Sequence, residues 1–344
     1  IILSIAKMIQ SFSSGVLFFT LLPKLFLNFP KQYRNVFLLM VIVGLFGSNA
    51  LGGLSGSLSL ELDRWYWLFV VNIISAILCL ILGNVILRKN EYHQTSDIHI
   101  SRSMMITLVL STISLMIPMS LLTQKGYHSL WVWPILLIAI FFIVNFIITN
   151  RQATHPIVHF HTLFSKKPFV GATMAISSHL TLLTGIAGIN VYIVRILKLP
   201  FDISLHFYFF FFVGVIITGI LKMFFYSSVG AGFLGTLGSS ALLYVSIHWI
   251  ILGNTINIPL LYIQGLLLGF GASMTLVSGS MATLLDGDLK EAAQRSQTMH
   301  TIRNFSAAML IPIIAYTIKN HIQKGTQSIY AENITDKMIY LKKL

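Results

Sequence analysis

Acid is scarce in this chain and cysteine is almost absent. Ten Asp and Glu stand against 23 Lys and Arg, only 10% of the 344 residues are charged, and Cys79 is the single cysteine. One cysteine excludes an internal disulfide. The acids, Glu61, Asp63, Glu91, Asp97, Asp202, Asp286, Asp288, Glu291, Glu332 and Asp336, fall in loops or at the ends of apolar runs. No pair of carboxylates is therefore placed for acid–base chemistry. A Gly-rich phosphate loop and a Ser/His/Asp arrangement are also missing. A soluble domain averages about 25% charged residues, so the charge deficit argues against one.

What is present is apolar. Hydrophobic residues make up 56% of the chain, and the mean hydropathy is +0.82. Runs of about 20 apolar residues recur along the whole length, enough to cross about 30 Å of hydrocarbon as helices. The runs are continuous rather than alternating, which excludes a membrane barrel. The expected fold is an all-α polytopic membrane protein with about ten spans. These cover roughly 1–22, 35–57, 65–87, 103–123, 130–149, 169–190, 204–226, 230–252, 256–284 and 298–318. The net charge of +13 would suggest nucleic acid in a soluble protein. Here the basic residues gather in short alternate loops: Lys24, Lys31 and Arg34, then Arg88, Lys89 and Arg102, then Arg151, Lys166 and Lys167. That bias places these loops in the cytoplasm and explains the charge without nucleic acid. It also starts Ile1 on the outer side. Ile1 opens the first run with no Met, charged flank or cleavage site, which reads as a chain cut in mid-fold rather than a signal peptide. Ten spans would return the lysine-bearing tail, 319–344, to the outer side, so a further span or a different count is expected.

Polar residues inside apolar runs are Gln10, Asn49, Asn72, Asn145, His179, Asn190, His248, Gln264 and Asn304. Hydrogen bonds between helices account for most of them. Lys7 and Arg303 are intramembrane cations, Lys222 reads as an inner flank, and Asp202 reads as a helix-start residue. His155, His159 and His161 do not make a metal site, because Pro156 keeps His155 out of any helix that follows. Asn333-Ile-Thr335 fits a glycosylation acceptor. His93 and Asp97 are the one close pair that a membrane transferase could use.

One stretch carries more. It reads Gly44-Leu-Phe-Gly-Ser48-Asn49-Ala-Leu-Gly52-Gly53-Leu-Ser-Gly56, then Trp65-Tyr-Trp67-Leu-Phe69-Val-Val-Asn72. Gly44, Ser48 and Gly52 are spaced to line one helix face, where a neighbour can approach closely. A leucine at Gly52 is expected to block that approach. The stretch resembles the antiporter motif on the fifth span of major facilitator superfamily drug exporters, with Gly44, Gly52 and Gly53 matching and Ser48-Asn49 in place of Gly-Pro. Trp65, Phe69 and Asn72 resemble the span-six signature of the 14-span EmrB/QacA-like branch, with Ile74 in place of Pro. Lys7-Met-Ile-Gln10-Ser11-Phe-Ser13-Ser14-Gly15 is similar to that family's fourth-span motif. Gly269-Phe-Gly271 and Thr301-Ile-Arg303-Asn304 are similar to its twelfth and thirteenth spans.

The resemblance implies a major facilitator-type bundle. Residues 1–95 would be a partial N-terminal lobe (spans 4–6) and 96–165 an inserted span pair (spans 7–8). Residues 166–318 would be a partial C-terminal lobe (spans 9–13), followed by a polar tail, 319–344. It implies no enzyme and no cofactor, but a multi-pass transporter of the cell membrane that exports lipophilic or cationic compounds against protons by alternating access. Lys7, Gln10, Asn49 and Arg303 become the transport and coupling candidates. A truncated or degenerate remnant that inserts without transporting is the other reading, because spans one to three and the last span of the family would be absent.

Overall fold

The computed structural model describes residues 9–10, 13, 30, 34–86, 102–154, 156–251, 257–285 and 291–342. Among them there are α-helices and no strand. They are α1 (Arg34–Glu61), α2 (Trp67–Ile86), α3 (Arg102–Lys125), α4 (Val132–Gln152), α5 (Phe160–Leu163), α6 (Lys166–Val191), α7 (Phe201–Ile250), α8 (Ile258–Leu285) and α9 (Ala292–Lys342). A π-helical turn, Tyr192–Ile196, follows α6.

Local chemistry sets the boundaries. Gly126 takes φ +77° just past α3, and its N–H donates to Leu122 O at 2.9 Å, a glycine C-terminal cap. Asp63 closes α1 in the left-handed region at φ 52°, which a short polar side chain tolerates better than most. Pro200 precedes α7, and Asp202 sits in that helix's first turn, where a negative charge suits the helix dipole. Its carboxylate lies 3.1 Å from His206 Nδ1, and both side chains are half-exposed.

Eight described helices are long and apolar enough to cross a membrane. One of them, α7, has 50 residues and would extend about 75 Å if straight, far beyond about 30 Å of hydrocarbon. Its helical backbone breaks at Gly230, at φ 80° and ψ 169°. The neighbours of α8 show what the break does. Along the first leg, Phe207 meets Gly265, Phe211 meets Gly269 and Lys222 meets Ser278. Along the second leg the order reverses: Gly235 meets Ser278, Gly238 meets Thr275 and Trp249 meets Gln264. The element is therefore a helical hairpin, and its legs correspond to the two expected spans, 204–226 and 230–252. The expected first span lies outside the described residues except for Ile9, Gln10 and Ser13. The helix of the last span continues past the apolar run to Lys342, so the polar tail is helical through residue 342.

The chain divides into two compact units, residues 1–97 with 158–301, and 98–157 with 302–344. In the first, α8 is the central helix: 72% of its apolar window is buried, against none of the α2 window. It is wrapped by α6 and both legs of α7. The core includes Phe207, Phe211, Val215, Leu268, Ala272 and Met274. In the second unit, Leu115 and Met119 of α3 and Ala139 of α4 pack with Phe305, Met309 and Ile313 of α9. Tyr127 meets Tyr316 edge to face at 4.7 Å, and Lys319 Nζ donates to Thr123 O at 3.4 Å.

Candidate functional site

Two helix seams in the first unit are built from small residues. The first joins α1 to the opening leg of α7. A Cβ at Gly53 would fall on the Tyr208 ring, and one at Gly47 would lie 3.0 Å from Phe212. At the other end of this seam, Gly219 of α7 receives Leu39. The order 39–219, 47–212, 53–208 makes the helices antiparallel. Tyr208 is held in place by Asn190, whose Nδ2 donates to the phenol oxygen at 2.7 Å. Removing the Cβ atoms lets the aromatic rings reach the α1 backbone, which is how helices gain dispersion contact in lipid without a hydrophobic driving force.

The second seam joins that same leg to α8. Phe207, Phe211, Gly214, Thr218 and Lys222 recur every three or four residues and are all buried. A Cβ at Gly214 would strike the Leu266 carbonyl, and one at Gly269 the Phe211 carbonyl, so the backbones themselves touch. Thr218 Oγ1 donates to Phe270 O at 3.1 Å, and Lys222 Nζ donates to Ser278 Oγ at 2.8 Å. At the opposite end of α8, Gln264 is buried and uses both ends of its amide. Its Oε1 accepts from Trp249 Nε1 at 2.7 Å, and its Nε2 lies 2.9 Å from His248 Nδ1. Tyr262 stacks on Phe210 at 5.4 Å and on His206 at 5.6 Å.

A third cluster closes the far end of α8. Arg295 is buried, and its Nε and Nη2 donate to the carbonyls of Thr283 and Leu284, each at 3.1 Å. Its Nη1 lies 3.6 Å from Glu291. A guanidinium there satisfies terminal carbonyls and complements the helix dipole. Beside it, the His159 N–H donates to Thr298 Oγ1 at 2.9 Å, while His159 Nδ1 is buried without a partner. Burial lowers the His159 pKa from its ordinary 6.5, and Glu291 partly opposes this. The folded state therefore binds fewer protons here than the unfolded state in the window below 6.5. The resulting stability is fully present above pH 6.5 and declines as pH falls through that value towards the lowered folded pKa. Thermal unfolding in detergent should show a midpoint that drops between neutral pH and about pH 5, and His159→Gln should flatten that slope. An unchanged slope in the variant would reject His159 as its source.

The expected site residues are distributed as follows. Lys7, Ser11, Ser14 and Gly15 lie outside the described residues, as do His93, Asp97 and His155. Gln10 is exposed. Asn49 is exposed, with Nδ2 donating to Leu45 O at 3.0 Å, and Ser48 Oγ donates to the same carbonyl at 2.9 Å. Asn72 turns back likewise onto Leu68 O at 2.9 Å. Trp65 and Phe69 meet edge to face at 5.9 Å, both exposed. Gly44 and Gly52 have nothing within 4 Å of an added Cβ, so the close approach on α1 is made by Gly47 and Gly53. Arg303 is half-buried in the second unit, with Nε lacking a partner. Two residues were not singled out by sequence reasoning, Tyr208 and Arg295, and Lys222 was read there only as an inner flank. The buried stripe Gly214, Thr218, Lys222 was the available signal, because a flank lysine is not expected in register with small residues. Among the described residues, no three His, Cys, Asp or Glu gather to hold a metal.

No family model matches the chain. Among curated proteins, it is 22% identical over 319 residues to the uncharacterized MFS-type transporter YubD of Bacillus subtilis (strain 168), covering 91% of this chain and 61% of that protein. It is 27% identical over 191 residues to the quinolone resistance protein NorB of Staphylococcus aureus (strain MRSA252), covering 55% of this chain and 39% of NorB. It is 38% identical over 82 residues to the multidrug efflux pump SdrM of Staphylococcus aureus (strain N315), covering 23% of this chain and 18% of SdrM. The chain thus spans less than two thirds of the length of each of these relatives. Together with the apolar helices, these similarities make the chain a polytopic helical membrane protein that is similar to major facilitator-type transporters and efflux pumps.

Proposed function

We propose that this chain belongs to a secondary active exporter of the 14-span EmrB/QacA-like branch, which moves lipophilic or cationic compounds across the cell membrane in exchange for protons. Residues 1–95 and 166–318 act as parts of the two lobes, and 96–165 as the inserted pair. The observation that carries this reading is the glycine-lined seam between α1 and the first leg of α7, with Gly53 against Tyr208 and Gly47 against Phe212. Alternating access needs two bundles that rock about a smooth contact near a central site. Between Gly47 and Gly53 the α1 backbone faces the flat Phe212 and Tyr208 rings, a smooth stretch suited to such a motion. The relatives named for quinolone resistance and multidrug efflux suit a passenger of this class. The passenger would be held by aromatic faces such as Phe210 and Tyr262, since a cation over an aromatic ring is stabilised without a carboxylate.

The test uses everted vesicles bearing the full-length protein, with ethidium as the lipophilic cation. Ethidium uptake should require an imposed proton gradient, and added ethidium should partly collapse that gradient. Uptake that is unaffected by dissipating the gradient would reject the proton-coupled mechanism. No uptake above protein-free vesicles would reject the passenger class.

A further inference from the structure

The seam between α7 and α8 holds a charged residue type where water does not reach. Lys222 exposes none of its surface and donates to Ser278 Oγ at 2.8 Å, and Ser278 is itself fully buried. The Tyr226 ring, one turn further along, lies 5.9 Å from the nitrogen. An ammonium has three N–H donors and Ser278 accepts one. No carboxylate among the described residues lies within 4.0 Å of Lys222. A lysine near a helix end ordinarily snorkels to the interface; this one turns inward to a neutral hydroxyl.

The elements around it supply little charge. On α8 the nearby polar groups are Ser278 and Thr275, the second leg brings Gly235, and α6 brings Met174. α1 lays Leu39 on Gly219 and begins at Arg34. Towards the end of α8, Arg295 is committed to Thr283, Leu284 and Glu291, and α6 starts with Lys166 and Lys167.

We propose that Lys222 is the proton-carrying group of this transporter. Its amine takes a proton from water on one side when the seam opens and returns it to water on the other side, with no other bond changing. The proposal rests on the export reading above. Coupling needs a titratable group inside the membrane, where gaining or losing a proton changes the cost of each conformation. Lys222 is a titratable group of this kind, fully buried within the first leg of α7. A protonated Lys222 would also repel a cationic passenger strongly in a medium of low dielectric. Proton and passenger would then occupy the protein in turn, which is the condition for exchange.

Two measurements on the full-length protein test this. In native membranes, the permeant reagent acetic anhydride should acylate Lys222, faster at higher pH, since the carrier must visit water. No labelling between about pH 6 and pH 9, with Lys166 and Lys167 fully modified, would overturn the proposal. In everted vesicles, Lys222→Met should lose at least about tenfold of the ethidium-induced proton release, while gradient-free ethidium counterflow stays within about twofold. Lys222→Arg keeps the charge but does not give up its proton, so it should match the Met variant. Proton release retained in Lys222→Met, or both activities restored in Lys222→Arg, would assign Lys222 a packing role and refute the carrier. If wild type moves no ethidium, the export reading fails on its own, and the labelling result alone decides Lys222.

Discussion

Gly53→Leu should abolish ethidium export in the full-length protein while leaving membrane insertion intact. The Tyr208 ring occupies the place where the new Cβ would stand, and Asn190 fixes the phenol oxygen at 2.7 Å. A leucine must therefore push Tyr208 aside, breaking that hydrogen bond, or hold α1 away from α7. Overpacking of this kind typically costs about 1–3 kcal/mol. In the rocking mechanism proposed above, that cost falls on the conformation in which the seam is closed. Transport should fall at least about tenfold, equivalent to about 1.4 kcal/mol on the conformational step. Gly52→Leu is the comparison. The described residues leave open space beside Gly52, so that variant should stay within about threefold of wild type, in keeping with the small cost of substitutions away from packed positions. Equal losses in the two variants would show that the stripe Gly44, Ser48, Gly52 also meets a helix, and would move the functional face of α1.

Gly269→Val should have a different and larger effect, on the folded state itself. Its Cβ would enter the Phe211 carbonyl, so the obstacle is backbone rather than a movable side chain. Gly214 meets the Leu266 carbonyl in the same seam, one turn away. Separating the helices there would also stretch Thr218 Oγ1–Phe270 O and Lys222 Nζ–Ser278 Oγ, at 3.1 and 2.8 Å. The expected cost is about 3 kcal/mol or more, read as a loss of monodisperse protein after detergent extraction and a clear fall in Tm. Gly232→Ala lies in the second leg with nothing within 4 Å and should extract normally. A Gly269→Val protein with wild-type Tm would mean that the two helices do not approach this closely in the membrane.

The two variants show where the sequence is informative and where it is not. Span positions were legible, because twenty consecutive apolar residues are a local property and the bilayer imposes the length. The turn of the α7 hairpin was legible as well, since the expected spans break between 226 and 230 and the reversal falls at Gly230. Facing was harder to read. In water, a helix shows its buried side as an apolar stripe. In lipid both sides are apolar, so α1 offered several stripes of small residues and no rule for choosing among them. Gly44, Ser48 and Gly52 make the more regular pattern, yet Gly47 and Gly53 are the ones against rings. Lys222 was misread for a related reason. Positive charge near an inner helix end is explained well enough by loop bias, and only the packed neighbour, Ser278, reveals that the side chain turns inward. Asn49 and Asn72 looked like partners for another helix, but each donates to a carbonyl four residues back on its own helix. A polar residue in an apolar run can satisfy itself in this way, and composition alone does not distinguish the two outcomes.

The reversal at Gly230 bears on how the chain reaches its topology. One residue at φ 80° joins two spans with no loop between them, so neither span can adopt an orientation independently of the other. They must be threaded as a pair, and any error in threading would invert both. Charge edits in the flanking segments, which reorient solitary spans, would here have to overturn the whole hairpin and strip its contacts from α8. The opposed run of these two spans is thus written into a single backbone angle, while the lysines and arginines around it decide which side the tip faces.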